Sequence, residues 1–254
     1  MPWNPDLYND FKDIRYKPFY DLLGFIQSND PAKIVDLGCG TGEQTSVVAE
    51  RFPNAAVVGV DSSPEMLQKS AAFARDNLSF RCQSIEELAA SGEKWDIIFS
   101  NAALQWLDNH EQLFPRLLDL LQPGGQFVVQ MPMQTDNILN SILLELAEEL
   151  PFSDFLKGWT SRSPVRSIDT YTQWLFDGRL VNLRVEQRVY PIVATDHETL
   201  FQFIAGSALI PYMERLADEE RSVFIEAYKK RIVKTFPKLP AIYAFKRLLL
   251  YGTK

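Results

Sequence analysis

Two aspartates and three glycines near the start of the chain have the types and spacing of a small-molecule binding site. Gly38, Gly40 and Gly42 follow directly on an apolar run that contains Asp36, and Asp61 closes the next apolar run. Glycines let the backbone approach a ligand where a side chain would clash, and they permit positive φ angles. Asp36 could balance a positive centre, whereas Asp61 stands where nucleoside-binding sheets place a carboxylate for the ribose hydroxyls.

The residues after these glycines argue against a phosphate ligand. The dinucleotide fingerprint needs a third glycine or alanine at the position of Glu43, and a carboxylate there disfavours a pyrophosphate. The phosphate-loop pattern also fails, because no Lys-Ser or Lys-Thr pair follows. A ligand with a ribose, a positive centre and no phosphate fits this arrangement, and S-adenosylmethionine is such a ligand. The alternative is that Asp36 and Asp61 only cap the loop and the next helix.

The elements predicted around this loop are those of a parallel α/β sheet. The strands are predicted over 33–37, 56–60, 78–82, 95–100 and 126–131, and the helices over 43–51, 64–75, 85–90 and 110–121. Such alternation is typical of a parallel sheet with both faces covered, whose ligands bind beyond the carboxyl ends of the strands. Asp36, Asp61 and Asn101 each fall near such an end.

The rest of the chain is predicted to frame this core. The lead-in is helical, with a break at Pro18, and either covers a sheet edge or forms an aromatic lid. We expect one domain over residues 1–254, divided into lid helices at 1–31, the cofactor-binding core at 33–131, cap helices with a sixth strand at 132–240 and a closing strand at 241–254.

Composition and charge exclude several classes of protein. The formal net charge of the 254 residues is −7, which argues against a general nucleic-acid binder. No apolar run approaches the roughly 18 residues of a membrane span, and the N-terminus lacks the layout of a signal peptide. Two cysteines cannot build a disulfide framework, so the cytoplasm is the expected compartment. His110 and His197 have no second ligand at metal-binding spacing, so no metal is expected.

Residues 35–42 resemble motif I of the class I S-adenosylmethionine-dependent methyltransferases. Asp61 matches the acidic residue after their second strand, Asn101-Ala102 match the segment after the fourth, and residues 121–125 match the turn before the fifth. The resemblance implies a Rossmann-like fold with a seven-stranded, mostly parallel sheet, an antiparallel last strand and a helical cap. The cofactor-binding residues that it implies are Asp36, Gly38, Gly40, Gly42, Asp61, Ser62, Met66, Ser84, Ile85, Asn101 and Ala102.

A closer resemblance extends over nearly the whole chain. The segments that are similar to the trans-aconitate 2-methyltransferase family are residues 3–8, 100–107, 113–115, 129–132 and 244–248. Because this family methylates a carboxylate of a small polycarboxylic acid, the resemblance implies a carboxyl O-methyltransferase that forms a monomethyl ester. Ser84 departs from the pattern, since many relatives carry an aspartate there that accepts the adenine amino group.

The acceptor site should combine a cation with apolar walls. A free carboxylate is already ionised at neutral pH, so alignment matters more than acid–base help, and we expect no catalytic base, nucleophile or metal. The resemblance places Arg15 near the acceptor, and Gln105 and Trp106 follow the fourth strand, where the acceptor should lie, so these three are the predicted catalytic residues. Tyr8 and Phe11 would close the lid over the substrate, which Arg15 and Trp106 would also contact. Arg15 could hold a carboxylate in bidentate fashion. The alternative for Arg15 is a solvated arginine on a helix, and the alternative for Trp106 is a tryptophan in the core.

Four other arginines are candidates for a second or third carboxylate of the acid. They are Arg162, Arg166, Arg184 and Arg247, although for most of them a surface salt bridge is the simpler interpretation.

Two other functions compete with methylation of a small acid. Malonyl-carrier-protein methyltransferases of biotin synthesis share a similar run around Gln105-Trp106, and insect juvenile hormone acid methyltransferases share the layout. An acidic carrier protein would want a basic docking patch, for which Lys229-Lys230-Arg231 is the candidate. The non-enzymatic alternative is a regulatory protein that binds the cofactor but has no working acceptor site.

Overall fold

The computed structural model describes residues 12–28 and 30–254, with side chains from Tyr16 onward. Its α-helices are α1 (Lys12–Leu23), α2 (Glu43–Arg51), α3 (Pro64–Ser70), α4 (Ile85–Ala89), α5 (His110–Asp119), α6 (Ile138–Glu148), α7 (Phe152–Phe155), α8 (Ile168–Asp177), α9 (His197–Ala205), α10 (Ile210–Met213) and α11 (Asp218–Thr235). The strands are β1 (Lys33–Leu37), β2 (Ala56–Asp61), β3 (Leu78–Cys82), β4 (Trp95–Asn101), β5 (Leu121–Pro132), β6 (Val181–Ala194) and β7 (Ala241–Thr253).

The strands form a seven-stranded sheet in the order β3-β2-β1-β4-β5-β7-β6. Neighbours from β3 to β5 are parallel, whereas β7 runs antiparallel to β5. The predicted fold class is therefore confirmed. Strand order reverses between β1 and β4, and ligands of such sheets bind beyond the carboxyl ends of the strands at this reversal. The glycine loop lies at that edge, because it follows β1.

One compact unit carries the glycine loop and comprises residues 17–132, 164–188 and 247–254. Its core packs buried side chains of the central strands against those of the helices on one face. Ile34 of β1 and Phe99 of β4 are fully buried in it, as is Val48 of α2. Both faces of the inner strands are covered, which explains why they are continuous apolar runs in the sequence.

The second compact unit comprises residues 133–163 and 189–246, with the described residues up to Tyr16. Helices α6, α9 and α11 and parts of β6 and β7 surround its own core, which is rich in aromatic side chains. Fully buried Tyr228 donates from its hydroxyl to the carbonyl of Leu139 at 2.9 Å, so α11 and α6 are tied together inside it. That this unit works as a cap stays a prediction.

Three predicted boundaries are wrong, each for a local reason. Pro18 does not break the lead-in helix. Helix α1 continues past it to Leu23, because this part of the helix buries the side chains of Phe19 and Leu22 completely. The helix predicted to Arg75 ends at Ser70 and continues as a 3₁₀ turn, because Arg75 closes a two-hydrogen-bond bridge with Leu78. Strand β5 begins at residue 121 rather than 126, since the first residue already pairs with β4.

The lead-in was also predicted as a possible lid over residues 1–31. Tyr8 and Phe11 lie outside the described residues, and Arg15 is described only as a position in α1, so the lid stays a prediction. Among the helices of residues 12–28 and 30–254, none is long and apolar enough to cross a membrane.

Candidate active site

The glycine loop is anchored to the neighbouring strand and leaves one side open. The backbone N–H groups of Gly38 and Cys39 both donate to the carbonyl of Val60, at 2.8 and 3.0 Å. All three glycines have positive φ, between 56° and 78°. A Cβ atom on Gly38 would lie 2.3 Å from that of Ala103, whereas a Cβ atom on Gly40 would meet nothing within 4 Å. The missing side chain of Gly38 therefore lets the loop pack against Ala103, whereas Gly40 borders space that a ligand can fill.

Asp61 joins the loop to the start of the next helix. Its Oδ2 accepts a hydrogen bond from the N–H of Gly40, and its Oδ1 accepts one from the N–H of Ser63, both at 2.9 Å. The capping role considered as an alternative is thus present. It leaves the ribose role possible, since each carboxylate oxygen has a second lone pair. Ser63 caps α3 by accepting from Met66, so Ser62 and Met66 flank this carboxylate at the carboxyl end of β2.

Asp36 is a buried carboxylate with one hydrogen bond to the residues that the structure describes. It is 3% exposed, and its Oδ2 accepts from the hydroxyl of Thr45 at 2.6 Å. Burial raises the pKa of Asp36 to about 7, although the Thr45 hydrogen bond lowers it, and the charge of Asp61 raises it further. A cation bound nearby would favour the ionised form. Burial and the two aspartates likewise raise the pKa of the Cys39 thiol, so this cysteine is no nucleophile at neutral pH.

Binding of S-adenosylmethionine is therefore expected to depend on pH in the free protein. Below pH 7 Asp36 holds a proton that it must lose to balance a cation, so the apparent Kd should fall by up to about tenfold per pH unit as the pH rises, and level off above 7. Calorimetry between about pH 5.5 and 8 measures this. Asp36→Asn should abolish the slope, because asparagine still accepts from Thr45 but does not titrate. A wild-type slope that survives in this variant would contradict the assignment.

The turn after β4 places two acceptor-site candidates at the same edge of the sheet. Ala102 has a φ of 57°, a rarely adopted conformation for a residue with a side chain. Its N–H donates to the carbonyl of Gln130 at 2.9 Å, and its carbonyl accepts from Nε2 of Gln105 at 2.6 Å. Gln105 is 5% exposed, and its Oε1 has no hydrogen-bond partner among the described residues. That oxygen is a buried acceptor without a donor.

Trp106 and His110 follow in the same segment. Trp106 is 55% exposed, so the alternative of a core tryptophan is wrong. His110 is completely buried; its Nε2 donates to the carbonyl of Leu104 at 2.9 Å, so its Nδ1 accepts from the hydroxyl of Tyr171 at 2.5 Å. Burial lowers the pKa of His110, so the ring stays neutral. Its hydrogen bond to the carbonyl of Leu104 fixes the residue directly before Gln105.

Ser84 is used mainly to start a helix. Its hydroxyl accepts from the N–H of Glu87 at 3.1 Å, and the Glu87 carboxylate accepts from the N–H of Ser84 at 2.8 Å. This reciprocal cap explains why a serine is stable there. The next residue, Ile85, is buried, and its Cδ1 atom would lie 3.8 Å from a Cβ atom placed on Gly38. Both residues stay predicted cofactor contacts.

The arginine candidates divide by their partners. Three are surface ion pairs: Arg162 with Glu148 at 3.1 Å, Arg166 with Glu111 at 3.5 Å and Arg184 with Glu186 at 2.5 Å. Arg247 differs, because it is 8% exposed and donates to Oε1 of Gln130 at 2.7 Å.

The sequence pattern missed two polar residues at this edge. Gln130 accepts from Arg247 and donates to Asn101, and Asn101 in turn donates to Gln44 at 2.7 Å. Gln130 lies in a segment of the family resemblance, but its contact with Asn101 follows only from the register of β4 against β5. Gln44 belongs to no motif, and only its hydrogen bond with Asn101 reveals it.

The side chains present fit S-adenosylmethionine. Gly40 leaves open space, Asp61 offers free lone pairs beside it, and Asp36 is a buried carboxylate without a cationic hydrogen-bond partner among the described residues. Groups of three or more His, Cys, Asp or Glu residues that could hold a metal ion are absent from the part of the chain that the structure describes.

Comparisons with known proteins agree with this geometry. A family model for methyltransferase domains matches residues 28–176. A trans-aconitate 2-methyltransferase from Deinococcus radiodurans is 40% identical over 260 residues, with 100% of this chain and 99% of that protein covered. The YcgJ protein from Bacillus subtilis has a similar structure, with a TM-score of 0.63 at 17% identity over 94% of this chain and 98% of that chain.

A second solved structure shares the fold. Phosphoethanolamine N-methyltransferase 2 from Haemonchus contortus, in complex with S-adenosylmethionine, matches with a TM-score of 0.56 at 15% identity, over 94% of this chain and 52% of that chain.

The sheet and the loop-and-carboxylate site define a class I S-adenosylmethionine-dependent methyltransferase. Full-length identity narrows this class further. The chain belongs to the trans-aconitate 2-methyltransferase family, as its resemblance predicted.

Proposed function

We propose that this protein transfers the methyl group of S-adenosylmethionine to a carboxylate of trans-aconitate or a closely similar small polycarboxylic acid. The observation that carries the acceptor class is the 40% identity, over the full length of both chains, with a relative named for that acid. The cofactor supplies a methyl group on a positively charged sulfur. A carboxylate oxygen forms the new bond to that methyl carbon, the carbon–sulfur bond breaks, and the products are a monomethyl ester and S-adenosylhomocysteine.

The residues of this chain contribute alignment and charge. Asp61 would bind the ribose hydroxyls and Asp36 would balance a cationic group of the cofactor, while Gly40 gives the backbone room. Gln105 and Trp106 lie on the turn after β4, where an acceptor would meet the methyl group. No proton has to move, because the acid is ionised at neutral pH. Catalysis then comes from holding oxygen, carbon and sulfur in line and from excluding water.

The carrier-protein alternative is not favoured. The basic cluster considered for docking is largely paired with acids: Lys229 contacts Glu198 at 2.8 Å, and Arg231 pairs with Glu149 and, at 3.6 Å, with Glu145. Paired cations attract an acidic partner less strongly. The cytoplasm stays the expected compartment, supported by the two cysteines, which are free thiols.

The test of this function is a panel of methyl acceptors with labelled S-adenosylmethionine. We expect label in a base-labile ester of trans-aconitate, with a higher kcat/KM than for dicarboxylic and monocarboxylic acids of similar size. Label only in a malonyl carrier protein would support that alternative. Binding of the cofactor without label in any acceptor would indicate a regulatory protein.

Arg15→Ala is expected to raise the KM for the acid by about 10- to 100-fold, while the KM for S-adenosylmethionine stays unchanged. A guanidinium that holds a carboxylate contributes hydrogen bonds between charged groups, and their loss weakens binding by this order. Arg116→Ala removes an exposed arginine of α5 and serves as the matched control. Equal changes in both KM values, or no change, would remove Arg15 from the acceptor site.

A further inference from the structure

A row of hydrogen-bonding side chains crosses the sheet edge that carries the glycine loop. Arg247 donates from Nη1 to Oε1 of Gln130 at 2.7 Å, and Nε2 of Gln130 donates to Oδ1 of Asn101. Nδ2 of Asn101 then donates to Oε1 of Gln44 at 2.7 Å. Gln130 is completely buried and Arg247 is 8% exposed, so water cannot replace these partners at the inner end of the row.

The sheet register explains how these four residues meet. Asn101, the last residue of β4, lies opposite Gln130 of β5. Arg247 lies opposite Pro132, two positions further along β5, so it is a diagonal neighbour of Gln130 across the antiparallel pair. Gln44 follows the loop in the first turn of α2. The row therefore links β7 to the loop at the carboxyl ends of β4 and β5.

The charge at one end of the row determines the orientation of every amide in it. A guanidinium has only donors, so Gln130 must present its oxygen to Arg247 and its nitrogen to Asn101. Asn101 then has its oxygen occupied and must present its nitrogen to Gln44. The oxygen of Gln44 is thereby occupied, and its Nε2 donates to no group among the described residues. Gln44 is half-buried and lies in the first turn of α2, directly after the glycine loop.

We propose that the Nε2 group of Gln44 binds a ligand carboxylate and that Arg247 is the positioning residue that gives Gln44 this polarity. The carboxylate belongs either to the methionine part of the cofactor or to the acid that is methylated. Both sources rest on the proposed function, but binding to Gln44 can be measured without turnover. A neutral residue in place of Arg247 would leave each amide free to turn over, and Gln44 would then present an oxygen as readily as a nitrogen.

Gln130→Glu reverses the row while it keeps Arg247 paired. A glutamate there accepts from Arg247 but cannot donate to Asn101, so Asn101 must turn over and offer its nitrogen to the new carboxylate. Its oxygen then faces Gln44, which must donate to it and present its own oxygen to the ligand. An amide oxygen next to a carboxylate is repulsive. Gln126→Glu is the matched control, because Gln126 is also buried in β5 but accepts from Gln27, which a glutamate can still do.

The experiment measures Kd by calorimetry for S-adenosylhomocysteine, for its decarboxylated analogue, and for trans-aconitate in the presence of S-adenosylhomocysteine. If Gln44 binds the cofactor, Gln130→Glu should weaken S-adenosylhomocysteine at least tenfold and leave the analogue unchanged. If it binds the acid, only the trans-aconitate Kd should rise by that factor. Gln126→Glu should change none of the three values.

Gln44→Leu and Arg247→Met extend the test. Gln44→Leu removes the amide from a half-buried position. It should raise the Kd of the same carboxylate-bearing ligand as Gln130→Glu does and leave the other Kd values unchanged. Arg247→Met should give an intermediate loss, and its thermal unfolding shows whether it folds. The proposal is overturned if Gln130→Glu and Gln44→Leu, both folded, bind all three ligands with wild-type Kd values, since the row would then only satisfy buried polar groups.

Discussion

Asp61→Ala is expected to weaken the binding of S-adenosylmethionine by at least about 100-fold, the largest loss among the cofactor-side variants. The substitution removes the acceptors for two ribose hydroxyls, and hydrogen bonds to a charged group contribute about 1.5–3 kcal/mol each. It also removes the partners of the Gly40 and Ser63 N–H groups, so the open loop loses its tie to α3. Isothermal titration calorimetry with S-adenosylmethionine and S-adenosylhomocysteine measures the change, and both ligands should be affected equally because both carry the ribose.

Asp96→Ala provides a control of the same chemistry at the opposite edge of the sheet. Asp96 also accepts two backbone hydrogen bonds, from the N–H groups of Ala32 and Lys33 at 2.9 and 2.8 Å, where β1 begins. Its loss should lower the melting temperature but leave the cofactor Kd unchanged. If Asp61→Ala and Asp96→Ala lower the melting temperature equally and neither changes the Kd, Asp61 is only a cap and the ribose assignment is wrong.

Gly40→Ala is expected to lower kcat/KM roughly 100-fold, the order of loss that follows when reacting groups are displaced by about 1 Å. The φ of 56° costs a residue with a side chain about 1–2 kcal/mol, and the new methyl group enters the open space beside Asp61. Steady-state kinetics with both substrates measures the effect. The KM for S-adenosylmethionine should rise more than the KM for the acid, because the methyl group stands on the cofactor side.

Gly92→Ala separates strain from obstruction. Gly92 has a φ of 74°, and a Cβ atom on it would also meet nothing within 4 Å, but it lies in the turn before β4. Both alanine variants should lower the melting temperature by a similar few degrees, about 2–4 °C per kcal/mol for a chain of this length. Wild-type kinetics in Gly40→Ala, or an equal loss in Gly92→Ala, would mean that the loop glycine borders no ligand.

The cofactor half of the fold was predictable because its signals are local. Strand β1 ends at Leu37 and α2 runs from Glu43 to Arg51, as predicted, since an apolar run, a glycine loop and a helical pattern follow one another within about twenty residues. Asp61 at the end of β2 depends on the same short-range pattern. The loop conformation is predictable from the glycines themselves, because only glycine adopts the loop's positive φ angles at little cost.

The remaining features depend on contacts between distant segments. Arg247 was considered a possible ligand for the acid, but 117 residues separate it from Gln130, and only the pairing of β5 with β7 brings them together. The exposure of Trp106 and the positive φ of Ala102 in the turn after β4 are likewise encoded by no periodicity. Pro18 was overestimated as a helix breaker because propensity is weak beside the burial of Phe19.

A crystal structure with S-adenosylhomocysteine and trans-aconitate bound together tests the central claim most directly. We expect the ribose hydroxyls on Asp61, the sulfur near Gly40 and Asp36, and one carboxylate oxygen of the acid on the line that a methyl group would continue from that sulfur, beside Gln105 and Trp106. An acid bound away from the turn after β4, or a ribose that does not reach Asp61, would contradict it.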